Sequence, residues 1–108
     1  MSRVRSVVRA GVCGFTTTVT AESDDMQNVS FSFDSDCETI RSLAQDFPLV
    51  DGYEEIGSGF DGQIHQAARA TLKGCCSGCV VPTGIFKTMQ VAAGLALPSP
   101  ISIEIERL

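Results

Sequence analysis

Residues 28–47 read Asn-Val-Ser-Phe-Ser-Phe-Asp-Ser-Asp-Cys-Glu-Thr-Ile-Arg-Ser-Leu-Ala-Gln-Asp-Phe, and within them the apolar period changes. Val29, Phe31 and Phe33 alternate with Ser30, Ser32 and Asp34, the pattern of a strand with one buried face. Cys37, Ile40, Leu43, Ala44 and Phe47 then share one face of a helix. At the junction, Ser35-Asp36-Cys37-Glu38 fits a capping box, with Ser35 as the expected N-cap and Glu38 three residues later. Pro48 closes the helix. A strand that runs into a helix across a short cap points to an α+β fold.

Two more period-two segments precede this stretch. Val4, Val8, Ala10 and Val12 alternate with Arg3, Arg5, Arg9 and Gly11. Phe15, Thr17, Val19 and Ala21 alternate with Thr16, Thr18 and Thr20. The connections, Cys13-Gly14 and the acidic run Glu22 to Gln27, are short enough for hairpins, so the first third predicts an antiparallel meander.

Downstream, Asp51 to Gly62 is rich in glycine and reads as a loop, with a short turn at Tyr53 to Ile56. Ile64, Ala67, Ala68 and Leu72 form the stripe of a second helix closed by Gly74. Pro82 suits the first turn of a third helix, whose buried stripe is Ile85, Met89, Ala92, Ala93 and Ala96. Leu97-Pro98-Ser99-Pro100 ends it. Ile101, Ile103 and Ile105 alternate with Ser102, Glu104 and Glu106, which predicts a fourth strand. The expected architecture is one two-layer domain over residues 1–108. A mostly antiparallel four-stranded sheet carries about three helices on one face.

Composition narrows the function. The 108 residues carry a net charge of −5, and their eight Lys and Arg are spread along the chain, so no basic stripe exists for nucleic acid. The least polar stretch, Val80 to Leu97, is broken by Pro82, Lys87 and Gln90 and does not read as a membrane span. Met1-Ser2-Arg3-Val4-Arg5 lacks the apolar core of a signal peptide. The expected location is the cytoplasm.

Five cysteines stand out, three of them within Cys75-Cys76-Ser77-Gly78-Cys79. In a reducing compartment an odd set of thiols reads as metal-binding or reactive rather than as disulfide staples. Tracing the meander and the helices alternately up and down brings Cys13, Cys37, Cys75, Cys76 and Cys79 to one end of the domain. Cys37 and Cys79 sit at expected helix starts, where unpaired N–H groups favour a thiolate. Cys76 and Cys79 form a CxxC pair, a motif shared by redox and metal sites. His65, the only histidine, lies about 15 Å along its helix from Cys75, too far to share an ion. Asp36 and Glu38 flank Cys37, and capping explains them. No nucleophile–base–acid triad and no phosphate loop is present.

The order Val12-Cys13-Gly14, Ser35-Asp36-Cys37 and Gly78-Cys79-Val80 resembles the three-cysteine pattern of iron–sulfur scaffold proteins of the IscU/NifU N-terminal type. That resemblance implies ligand roles for Cys13, Cys37 and Cys79. Phe15 and Gly78 stand where those scaffolds carry an Asp and a His, and their chaperone-docking motif is missing. Ser77-Gly78-Cys79-Val80-Val81-Pro82 also looks like the helix start of TSCPD-type domains. As a whole the chain is similar to an uncharacterised family of small cysteine-containing proteins from anaerobes.

Three functions follow as expectations. The first is a cytosolic protein that binds zinc or an iron–sulfur cluster through Cys13, Cys37, Cys79 and one of Cys75 or Cys76, as a scaffold or carrier with protein partners in cluster or sulfur transfer. The second is a thiol redox or sulfur-carrier protein that uses Cys76 and Cys79. The third is a non-catalytic binding module whose cysteines are structural.

Overall fold

The computed structural model describes residues 1–108 as one α+β fold. Strands β1 (Ser2–Arg9), β2 (Thr16–Ser23) and β3 (Asn28–Ser35) form the expected meander. Val19 pairs with Ser6 on one side and with Phe33 on the other. The alternation in the sequence becomes two sheet faces. Val4 and Val8 of β1, Thr17, Val19 and Ala21 of β2, and Val29, Phe31 and Phe33 of β3 face the core. Arg3, Arg5, Val7 and Arg9 stand on the open face with Ser30 and Ser32 of β3.

The helices cover the inner face. Helix α1 (Glu38–Ala44) packs on β3, and α4 (Val81–Ala92) crosses β1 and β2 with Pro82 in its first turn. Helix α3 (Gln63–Thr71) fills the space between α1 and α4. Ile40, Leu43, Ile64, Ala68, Leu72, Ile85, Met89, Ala92 and Ala93 are buried, as the helical spacing predicts. Phe31, Phe33 and Phe47 form an aromatic cluster at the β3–α1 end, with ring centroids 5.1–6.1 Å apart.

Four expectations are corrected. The first concerns the fourth strand. Ile101–Glu106 is not in the sheet; every residue from Ala96 to Leu108 is exposed and outside regular structure. The fourth strand is instead β4 (Val50–Asp51), whose two residues pair with Val29 and Asn28 on the β3 edge. Period two shows that a segment can be a strand, but a strand forms only where an edge lies beside it.

The second correction is that Asp51 to Gly62 is not a loop. Asp51 caps α2 (Gly52–Ser58) by accepting from the N–H groups of Tyr53 and Glu54, and a single 3₁₀ turn at Gly59–Asp61 follows. The Asp cap outweighs the poor helix propensity of the glycines. Gly52 is also fixed by space, since a Cβ there would lie 2.9 Å from that of Ala93.

Third, Ser35 does not cap α1 as a capping box. Its hydroxyl accepts from the Cys37 N–H, and Cys37 itself is the N-cap residue, without a side-chain cap bond. The fourth correction is that Ala96 lies past the end of α4, on exposed chain.

Candidate functional site

The cysteine end of the domain is assembled by backbone contacts. Cys13 occupies the β1–β2 connection, between Gly11 and Gly14, which both take positive φ of 87° and 74°. That turn is closed by the Gly14 N–H on Gly11 O and the Ala10 N–H on Phe15 O. Next to it the Asp36 N–H donates to Thr16 O at 3.3 Å, and the Thr17 and Ser35 hydroxyls share a hydrogen bond of 2.7 Å. These contacts hold the hairpin that carries Cys13 beside the β3–α1 junction that carries Cys37.

The third segment arrives from α3. Gly74, at φ 63°, turns the chain into a 3₁₀ helix over Gly74–Gly78 that contains Cys75 and Cys76. The Cys79 N–H donates to Cys76 O at 3.1 Å, and Cys79 stands one residue before Val80, the N-cap of α4. All five thiols are free; Cys13, Cys75 and Cys76 are exposed, whereas Cys37 and Cys79 are half-buried and pack against the core.

The electrostatics report the convergence. Burial pushes the Cys79 thiol pKa above its ordinary value, and a hydrogen bond from the Val81 N–H opposes the rise. The neighbouring charges of Cys13, Cys37 and Cys76 add to it. Cys79 therefore lies within electrostatic reach of thiols from two other chain segments and of its CxxC partner. Cys75 is not among the groups that act on it. The expectation that a helix start would favour the Cys79 thiolate is corrected: one N–H donor does not offset the loss of solvent. The thiols are gathered at one end without being closed on a point, because no group of three or more His, Cys, Asp or Glu stands ready to hold a metal ion.

His65 lies apart from the cysteines, with its ring centroid 4.7 Å from that of Phe60 and 5.2 Å from that of Phe86. Burial, the largest effect, lowers its pKa; Glu55 acts in the opposite direction and Arg69 in the same one. This agrees with its expected place on a helix away from the thiols. A shallow cavity of about 390 Å³ beside it is lined by Ile56, Phe60, Phe86 and Lys87.

Two carboxylates, Glu55 and Asp25, have structural roles. Glu55 is 2% exposed, and its two oxygens accept from the N–H groups of Gln63 and Ile64, the first turn of α3. Asp25 accepts from the N–H groups of Gln27 and Asn28 and from the Asn28 side chain. These bonds, led by the Asn28 side chain, hold its pKa down at about 2. The signal for Asp25 is an Asp that accepts from the backbone N–H groups two and three residues on, an Asx turn. Glu55 lies eight residues before the helix that it caps and left no local signal.

No helix is long and apolar enough to cross a membrane. The model of a family of unknown function matches residues 4–105. No curated protein and no solved structure matches the chain.

Proposed function

The chain belongs to DUF6951, a family of unknown function, and on its own residues we propose that it binds a thiophilic metal ion or an iron–sulfur cluster. The ligands would be Cys13, Cys37, Cys76 and Cys79. One observation carries this reading: the Cys79 thiol lies within electrostatic reach of Cys13 and Cys37, from two other segments of the chain, and of its own CxxC partner Cys76. Buried structural cysteines have no reason to meet in this way, and three of the five are exposed.

The donor chemistry fits. Thiolates are soft ligands that select zinc, iron–sulfur clusters or Cu(I) over hard cations. Mutual repulsion makes a set of neighbouring thiolates costly without a cation, and a bound cation reverses that sign. Zinc–sulfur bonds of about 2.3 Å bring ligand sulfurs to within about 4 Å of one another. Closing the site therefore draws in the Cys13 turn, flanked by the positive-φ Gly11 and Gly14, and the 3₁₀ segment, opened by the positive-φ Gly74, both at the surface. Binding is coupled to that ordering and to the loss of thiol protons, so affinity rises with pH.

The test is anaerobic purification of the full chain, followed by an absorbance spectrum and quantitation of iron, zinc and copper. The expected result is a stoichiometric metal or cluster content, lost in Cys13→Ser, Cys37→Ser, Cys76→Ser and Cys79→Ser and retained in Cys75→Ser. A metal-free protein that also fails to take up zinc, or content unaffected by Cys13→Ser and Cys37→Ser, overturns the reading. A Cys76–Cys79 disulfide that forms reversibly in metal-free protein supports the thiol redox role instead.

A further inference from the structure

Two unpaired features of the fold match each other. The first is the outer edge of β1. The sheet order is β1-β2-β3-β4, so β1 pairs with β2 only and its other edge is open. Val4 and Val8 on its inner face are only partly buried although they pack against the core. On its outer face stand Arg3, Arg5 and Arg9. The second feature is the C-terminal segment. Beyond Leu95 it makes no backbone hydrogen bond, and Ile101, Ile103 and Ile105 are 52%, 69% and 92% exposed. Exposed apolar groups in strict alternation with Ser102, Glu104 and Glu106 are the pattern of a strand that has no neighbour.

We propose that the C-terminal segment, Ile101–Glu106, adds as a strand to the open β1 edge of a second copy of this chain, so that two copies exchange their tails. The occupant is argued from side-chain parity and from charge. In either strand direction, placing the three isoleucines on the inner face beside Val4 and Val8 puts Glu104 and Glu106 on the outer face beside the arginines. Slipping the register by one residue would put the isoleucines among the arginines. Arg5 and Arg9 have no carboxylate within ion-pair distance in the single chain, whose one ion pair joins Arg3 to Glu22 at 3.0 Å. The acidic edge of the tail supplies those partners.

The segment does not reach its own sheet. It leaves α4 at Gly94, which lies against Met26 in the β2–β3 turn, and Pro98 and Pro100 then hold the backbone extended. The family match, residues 4–105, spans β1 from Val4 onward and all three isoleucines. Strand addition satisfies the main-chain groups of an edge that would otherwise template aggregation.

The oligomeric state of the full chain tests this, by sedimentation velocity at micromolar concentration. The expected result is a dimer for the wild type. Arg5→Glu/Arg9→Glu and Glu104→Arg/Glu106→Arg should each weaken the dimer by about tenfold or more, and combining the two sets should restore it. All four positions are exposed and make no ion pair in the single chain, and circular dichroism of each variant checks that it is folded. Truncation after Leu97 should give a monomer. Amide exchange should show protection of Ser102 and Glu104 in the dimer only. A monomeric wild type overturns the proposal, whether the tail amides are exchanging or protected on its own sheet. A dimer that survives the truncation or ignores both charge reversals also overturns it.

Discussion

Gly84 of α4 lies so close to Val8 of β1 that a Cβ built on it would stand 2.6 Å from Val8 Cγ2. The contact sets how near the helix comes to the sheet. Four residues on, Thr88 Oγ1 donates to Gly84 O at 2.6 Å, so the Ser6 hydroxyl donates to Thr88 across the 2.5 Å gap between them. A missing side chain and a bridging hydroxyl pair thus dock one helix on one strand.

The first prediction concerns that contact. Alanine is the better helix former by about 1 kcal/mol. Overpacking against a stiff β-branched neighbour costs about 1–3 kcal/mol. Gly84→Ala should therefore destabilise the wild type. In a Val8→Ala background, where the clash is gone, the same change should stabilise by about 1 kcal/mol. Denaturant unfolding of the four proteins measures both signs.

Glu55 is buried and holds the first turn of α3 through two N–H groups. Glu55→Ala leaves both donors unpaired and should cost about 2–3 kcal/mol. Glu55→Gln presents an amide N–H to one of them and should cost at least half as much. An exposed control, Glu54→Gln, should be neutral. Equal melting temperatures for all three variants would refute the capping role.

In metal-free protein the Cys79 thiol should alkylate more slowly than Cys75 and Cys76. It is half-buried and its pKa is raised by burial, so at neutral pH it exposes less thiolate. Timed iodoacetamide labelling with peptide mass spectrometry ranks the three. The Cys79 rate should reach its half-maximum at a higher pH than an ordinary thiol; a lower one would mean that the helix start prevails.

Asp25 gives a pH dependence of stability. Its folded pKa, about 2, lies below the unfolded carboxylate value near 4. The unfolded state therefore takes up the proton first as pH falls. The stabilising contribution is complete above the unfolded value and is lost as pH drops through about 4 towards 2. Asp25→Asn removes the charge and should flatten that part of the acid limb, read by thermal melts across pH. An unchanged limb would place the acid sensitivity elsewhere.

The sequence by itself determined the elements that are specified by local chemistry. The meander was legible because Val19, Ala21, Val29, Phe31 and Phe33 sit on a strict period of two. Helix α4 was legible from Pro82 and its apolar stripe. The nearness of Cys79 to Cys13 and Cys37 was expected from the up-and-down tracing, although the chain between α1 and α3 contains β4 and α2, which that tracing left out. What required neighbours was decided by the tertiary structure alone. Ile101–Ile105 has the pattern of a strand and no edge of its own sheet beside it, whereas the two residues Val50–Asp51 pair because they lie against β3. Glu55 is buried because α3 starts over it, eight residues further on. The Cys79 thiol pKa lies above its ordinary value because burial exceeds the pull of one N–H donor. Periodicity records which face a residue must turn inward, but which partner meets that face is set by packing between segments distant in the chain.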